Sequence, residues 1–409
     1  MSARRGCQWF NFGVNVGTVV PVTDLRDATS RAVAALRAHG PMTRAELARR
    51  TGLPKSTVSG VTAALLANGT LEETGAAAAP VRPGDPRAGR GRGRPGTLLT
   101  LDARRGEVVG VEFGASHVRA RVVDAGHGQG PGAVRRLPLA YGAGDALDAT
   151  LDLVRELTAR PGAAPLLGVG LALALGLGTY RPPVPTRPRG MRQGWEDLDL
   201  PAALADALGV PVVADNDANC AARAELLWGA ARPYEDLVLV KLHAGVGGAV
   251  VIDRQVQTGR RGGAGEFGHV PVDPRGPLCR CGGRGCLEVY AGVPAVLAAL
   301  AVQHGRLPTP REVLEGAAAG DPACRRALRD AGEATGQVAA WLCNALNPQA
   351  IVLTGALAGA GELLAGPVRE SVARTALPLN ADVDVVIGTL GRDAGPLGAG
   401  ALALASVPV

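Results

Sequence analysis

With 409 residues and 47% hydrophobic side chains, the chain has material for two or three domains with buried cores. No apolar run reaches the roughly twenty residues of a membrane span, and the first residues carry no apolar signal segment, so the sequence predicts a cytoplasmic protein with reduced thiols and no membrane partner. The net charge of +6 is uneven, because the first 105 residues hold sixteen Arg or Lys against seven Asp or Glu. A basic end on a slightly acidic body suits nucleic-acid contact, although a solvated basic tail has the same composition. Lysine occurs only at Lys55 and Lys241, and aromatics are 3%.

Residues 1–24 form an N-terminal extension without a readable pattern. Residues 25–102 predict a winged helix-turn-helix. A first helix ends at Gly40. Thr43 and Glu46 then make the Thr-x-x-Glu spacing of a capping box, with Leu47 on the inner face of a short helix that Gly52 ends. Pro54 falls in the expected first turn of the next helix, whose apolar stripe is Val58, Val61, Leu65 and Leu66. Such a second helix enters the major groove, and Arg44, Lys55, Ser56, Thr57 and Ser59 are the candidate DNA contacts. An ordinary helical hairpin is the competing reading. The stretches LEET and TLLTLD (97–102) predict the two strands of a wing. Between them, residues 75–96 are rich in Gly, Pro and Arg. Arg90, Arg92 and Arg94 alternate with glycine, as a phosphate-following or minor-groove segment would, or as a plain linker would.

From residue 108 the pattern becomes strand, turn, strand, then helices alternating with the apolar runs LLGVGLALALG, VPVVADNDAN, LVLVKL and AIVLTG. This predicts a two-lobed α/β body with a cleft, lobe 1 at 103–230 and lobe 2 at 231–409. The C-terminal helix is expected to return to lobe 1.

The stretch CRCGGRGCLE contributes Cys279, Cys281 and Cys286, three thiolate ligands within eight residues. His269 in GEFGH supplies a fourth, which predicts a closed, structural zinc site. A reduced, metal-free cysteine loop is the alternative.

GEFGH followed at this distance by CRCGGRGCLE resembles the ROK family (repressors, open reading frames and kinases), and the head-plus-body layout resembles its transcriptional regulators. The resemblance implies an actin-like, sugar-kinase fold and a homodimer or homotetramer. It assigns zinc to the same four residues and implies sugar contacts from Asn216, Asp217, Glu266, His269 and Glu288. In the kinases of this family the aspartate at the position of Asp217 is the catalytic general base. The phosphate motifs depart from the family's pattern. Asp-x-Gly-Gly-Thr is replaced by Glu112-Phe113-Gly114-Ala115-Ser116, Gly-Thr-Gly by His243-Ala244-Gly245, and the Pro-Gly turn after GLALALG is missing, with only Gly176 nearby. ATP and Mg²⁺ are therefore not expected, and Asp217 is not expected to serve catalysis. The sequence predicts a sugar-responsive regulator of carbohydrate-metabolism genes, a repressor, binding an inverted-repeat operator and taking a sugar or sugar phosphate as effector. An ATP-dependent, glucokinase-like sugar kinase, or a protein with both roles, is the alternative.

Overall fold

A computed structural model describes residues 28–76, 96–139, 141–174, 195, 198–260 and 262–407. The extension 1–24, Arg90, Arg92, Arg94 and the segment around Gly176 lie outside the described residues.

The head comprises α1 (Ala28–His39), β1 (Met42–Thr43), α2 (Arg44–Thr51), α3 (Lys55–Ala67), β2 (Leu71–Ala76) and β3 (Thr97–Leu101). The capping box is formed: Thr43 Oγ1 accepts from Glu46 N–H while the Glu46 carboxylate accepts from Thr43 N–H at 2.8 Å. Gly52 closes α2 with φ +67°, a left-handed position that glycine takes at little cost. Pro54, expected inside the first turn of α3, stands just before it as the N-cap residue. The wing strands β2 and β3 pair antiparallel, and β3 also pairs with β1, a strand too short to register in the sequence pattern. Leu36, Leu47, Val58, Leu65 and Leu99 close the head's core.

The body contains two five-stranded sheets of one design. In lobe 1 these are β4 (Glu107–Phe113), β5 (His117–Asp124), β6 (Gln129–Arg136), β7 (Leu166–Leu173) and β8 (Val212–Asn216), in spatial order β6-β5-β4-β7-β8. Helices α4 (Ala143–Thr158), α5 (Leu200–Leu208) and α6 (Asp217–Trp228) accompany them. In lobe 2, β9 (Leu237–Leu242), β10 (Val246–Ile252), β11 (Gln255–Gln257), β12 (Ala350–Thr354) and β13 (Asp384–Ile387) lie in the order β11-β10-β9-β12-β13. The first three strands of each sheet form an antiparallel meander, and the last two join in parallel. Lobe 2 adds α7 (Glu288–Ala291), α8 (Val293–His304), α9 (Pro310–Ala319), α10 (Pro322–Leu346) and α11 (Glu362–Thr375), and the chain continues into α12 (Ala394–Ser406).

Each sheet buries one face under its own helices. In lobe 1, Val109, Val111 and Leu171 meet Leu153 and Leu204; in lobe 2, Val238 and Ile351 meet Leu328 and Val368. A separate core joins the lobes. In it α6 and α12 lie between the sheets, with Ala221, Leu226, Leu397 and Leu404 packed against Val108, Val123, Leu239 and Val352. The approach of α12 to lobe 1 is close enough that a Cβ on Gly170 would strike the backbone of Ala399, so glycine is required there. Strand β6 had no sequence signature because it is an exposed edge with Pro131 between two glycines. Among the described residues no helix is long and apolar enough to cross a membrane.

Candidate functional site

The lobes enclose a cleft of ≈ 260 Å³. Its walls are both motif loops (112–115 after β4, 243–247 after β9), the β8–α6 junction at Asn216 and Asp217, and Glu266, His269 and Arg280 from the cysteine-bearing region.

At the β8–α6 junction the capping role belongs to Asn216, not Asp217. Asn216 Oδ1 accepts from Ala218 N–H at 2.8 Å and from Asn219 N–H at 3.4 Å. Its amide NH₂ is the part left to donate to a ligand. Asp217, relieved of capping, turns its carboxylate to the cleft and to Lys241, whose Nζ lies 2.8 Å from Asp217 Oδ2 and 2.8 Å from Glu112 Oε1. This lysine was missed in the sequence pattern because it reads as one polar residue in a buried strand. Its being one of two lysines was the only available signal.

Glu266 precedes the short turn Phe267–His269, and its carboxyl is pushed up to about 7 by burial and by the nearby charges of Asp217 and Glu288. Near neutral pH it therefore exists in both forms and can accept from or donate to a hydroxyl. Glu288 is arranged differently from the other expected sugar contacts. Arg280 grips it at 2.6 Å and 2.8 Å, and Val246 N–H donates to its Oε2 at 3.1 Å. Arg280, not Glu288, presents itself to the cleft. Arg280 sits between Cys279 and Cys281, where the sequence pattern marks only the cysteines, and its reach across the loop is a tertiary property.

Ligand atoms of His269, Cys279, Cys281 and Cys286 all lie within 4.8 Å of one another. Cys281 Sγ and Cys286 Sγ are 3.7 Å apart, and Cys279 Sγ is 3.6 Å from His269 Nδ1. A tetrahedral ion with metal–sulfur bonds of about 2.3 Å and metal–nitrogen bonds near 2.0 Å has ligand–ligand edges of about 3.5–3.8 Å, so donor set and spacing both fit. The loop closes on itself at Gly285 (φ +61°), where a Cβ would collide with the carbonyl of Asp273. With Nδ1 in the cluster, Nε2 of His269 remains for the cleft.

In the head, Lys55, Ser56 and Ser59 are exposed at the start of α3 and Thr57 is half-buried. Arg44 is committed within the head, to Glu73 at 2.9 Å and Thr62 at 3.2 Å. The head rests on both lobes. His127 of the β5–β6 turn hydrogen-bonds through Nε2 to the Leu36 carbonyl at 3.0 Å, and Arg37 donates to the Val407 carbonyl after α12 at 2.8 Å. On the lobe 2 side, His39 meets Gln255 at 3.2 Å and Arg49 faces Glu235 at 3.6 Å.

The sequence profile of the ROK family matches residues 108–406. The chain belongs to the ROK family. An IclR helix-turn-helix domain matches residues 31–75, within the head. The xylose repressor of Bacillus subtilis (strain 168) is 28% identical over 363 residues, covering 88% of this chain and 90% of the relative. Among solved structures, a ROK family glucokinase from Streptomyces griseus in complex with glucose and AMPPNP superposes with TM-score 0.62 at 28% identity, covering 73% of this chain and 99% of that one. A ROK family transcriptional regulator described as a homologue of the E. coli MLC protein superposes with TM-score 0.71 at 22% identity over 93% of this chain and 96% of its own length. At that identity the likeness speaks for the fold, which here includes head and body together. The two-lobed sugar-kinase fold with an N-terminal helix-turn-helix is thus established for this ROK chain.

Proposed function

We propose that this ROK chain is a sugar-responsive DNA-binding repressor of carbohydrate-metabolism genes. One observation carries the reading: α6 begins in the cleft at Asn216 and Asp217 and ends, at Trp228, against the seat of the DNA-binding head. A ligand that prefers one arrangement of the lobes shifts the population toward it, and a head seated on both lobes feels that shift. The similarity to the xylose repressor along nearly the whole chain supports the same reading.

In this scheme a sugar lies between the Asn216 amide, the Asp217 carboxylate, Glu266 and His269, with Glu288 acting through Arg280. Polar groups placed on vicinal hydroxyls discriminate strongly, because a missing hydroxyl leaves a buried partner unpaired. Zinc is the metal proposed for His269, Cys279, Cys281 and Cys286. It would hold the loop that carries Glu266 and Arg280 and, with four protein ligands, would have no open position for chemistry. A homodimer would set two α3 helices on an inverted repeat, Lys55, Ser56, Thr57 and Ser59 leading into the major groove.

The kinase reading draws support from Asp217 in the cleft, but Ala115 and His243 stand where the family's nucleotide loops have glycine.

The deciding experiment selects operator fragments from the host genome with the purified protein and repeats the binding with a panel of sugars and sugar phosphates. Specific retrieval, reversed by one sugar and lost from that control in Glu266→Ala while DNA affinity persists, is the expected result. Failure to retrieve any specific fragment would refute the repressor, and ADP formation with Mg-ATP and a hexose would restore the kinase.

A further inference from the structure

Lys241 leaves lobe 2 at the end of β9 and reaches carboxylates on two other elements, Glu112 on β4 and Asp217 at the start of α6. The three side chains are only 11%, 17% and 24% exposed, so water screens them little. Burial by itself would lower the lysine's pKa. The two carboxylates outweigh that and hold it above the ordinary lysine range. Burial likewise pushes Glu112 upward, yet the ammonium keeps it below the usual carboxylate value. The group is therefore one fixed positive charge held between two carboxylates.

Phosphoryl transfer requires a different arrangement at such a place. There, carboxylates hold a divalent cation that bridges phosphate oxygens and gathers the charge of the transferring group. In this cleft the residues do not fit a metal–nucleotide. One oxygen of each carboxylate, Glu112 Oε1 and Asp217 Oδ2, is already hydrogen-bonded to the ammonium, and a dication placed between the two carboxylates would meet that ammonium at contact distance in a poorly screened site.

We infer that Lys241 is the residue that decides what this cleft accepts. Its ammonium takes the place of the divalent cation, so the cleft takes a sugar through its hydroxyls and refuses the metal–nucleotide partner. The sugar half of this statement rests on the proposed function, whereas the refusal of metal stands on Lys241, Glu112 and Asp217 alone. The lysine also joins lobe 2 to Glu112 in lobe 1, in addition to the shared core formed by α6 and α12.

The test uses Mn²⁺, an oxygen-seeking probe that thiol ligands compete for poorly, on the full chain with its zinc cluster intact. Mn²⁺ at millimolar concentration leaves the melting temperature of the wild type unmoved and raises that of Lys241→Met, where two carboxylates have lost their counter-charge. Titration followed by the Mn²⁺ electron-spin signal gives the variant at least a roughly tenfold tighter site than the wild type, about 1.4 kcal/mol. If Lys241→Met does not fold, Lys241→Met/Glu112→Gln, which keeps the net charge of the group, shows the shift in its place. Equal shifts in wild type and variant, no shift in either variant, or Mn-dependent binding of an ATP analogue by the wild type would overturn the inference. Sugar titration of the same wild-type preparation separates the two readings: no sugar binding with the Mn²⁺ pattern intact removes the effector and leaves the role of Lys241 standing.

Discussion

Trp228 Nε1 donates to the carbonyl oxygen of His127 at 3.0 Å, and the ring of the same histidine reaches through Nε2 to the Leu36 carbonyl in the head at 3.0 Å. The last turn of α6, the β5–β6 turn and the last turn of α1 are thereby linked in a row. The first residue of α6 lies in the cleft. A packed helix moves as a rigid body, so a displacement at Asp217 is felt at Trp228.

Trp228→Phe keeps an aromatic ring, though a smaller one, and deletes the donor to His127. The expected cost is about 1–2 kcal/mol of stability for the unsatisfied carbonyl. Sugar titrations should remain within about threefold of wild type, while the change in operator affinity on adding sugar shrinks. Calorimetry for the sugar and fluorescence anisotropy for DNA read the two quantities separately, and an undiminished response would remove this link from the coupling.

Acidification should loosen the joint between head and body. Burial lowers the His127 pKa to about 4 from the ordinary histidine value of about 6.5, so the folded joint holds the ring neutral. The stability this contributes is fully present above about pH 6.5 and is lost progressively as the pH falls toward 4, because the unfolded chain takes the proton first. The whole effect is on the order of 3 kcal/mol. Melting temperatures of wild type and His127→Gln between these pH values test it: the wild type loses more stability than the variant.

Removing a ligand from the cysteine cluster should disturb the cleft without touching the head. With zinc in the proposed site, Cys286→Ser should lower its occupancy to a substoichiometric level. It should destabilise the body by about 3 kcal/mol, since ion binding is coupled to the folding of this loop. Elemental analysis with melting curves reports both. Sugar response should fail with it, because Glu266, His269 and Arg280 lose their common support, whereas sugar-free DNA binding persists.

Lys55 stands exposed at the start of α3. Lys55→Ala should weaken operator and non-specific DNA to a similar extent and lower the slope of log affinity against log salt by about one. Salt-dependent anisotropy measures that slope, and an unchanged slope would move the phosphate contact elsewhere.

The sequence made the head legible because its signals are local. Thr43, Glu46 and Gly52 each act on neighbours within a few residues, and the capping box and left-handed cap are found where the spacing placed them. The central strands β4, β9 and β12 were legible as largely apolar runs, broken only by Glu107 and Glu112 in β4, Lys241 in β9 and Thr354 in β12, of the kind that a sheet covered on both faces requires. Strand β6 was hidden because an exposed edge demands no apolar pattern, and β1 because two residues carry none.

Residue types and spacing alone determined that three cysteines and a histidine could gather round an ion and that a basic head precedes an α/β body. Tertiary structure alone decided how the charges of the cleft pair. Lys241 came to Glu112 and Asp217 across 129 and 24 residues of chain, and Arg280 took Glu288 out of the open cleft. It also decided that Asn216 caps α6 so that Asp217 does not. Capping boxes and metal-ligand spacings act over short stretches of backbone and leave a mark in the sequence. An ion pair depends on where the folded lobes bring distant side chains, and nothing in the neighbouring residues records it.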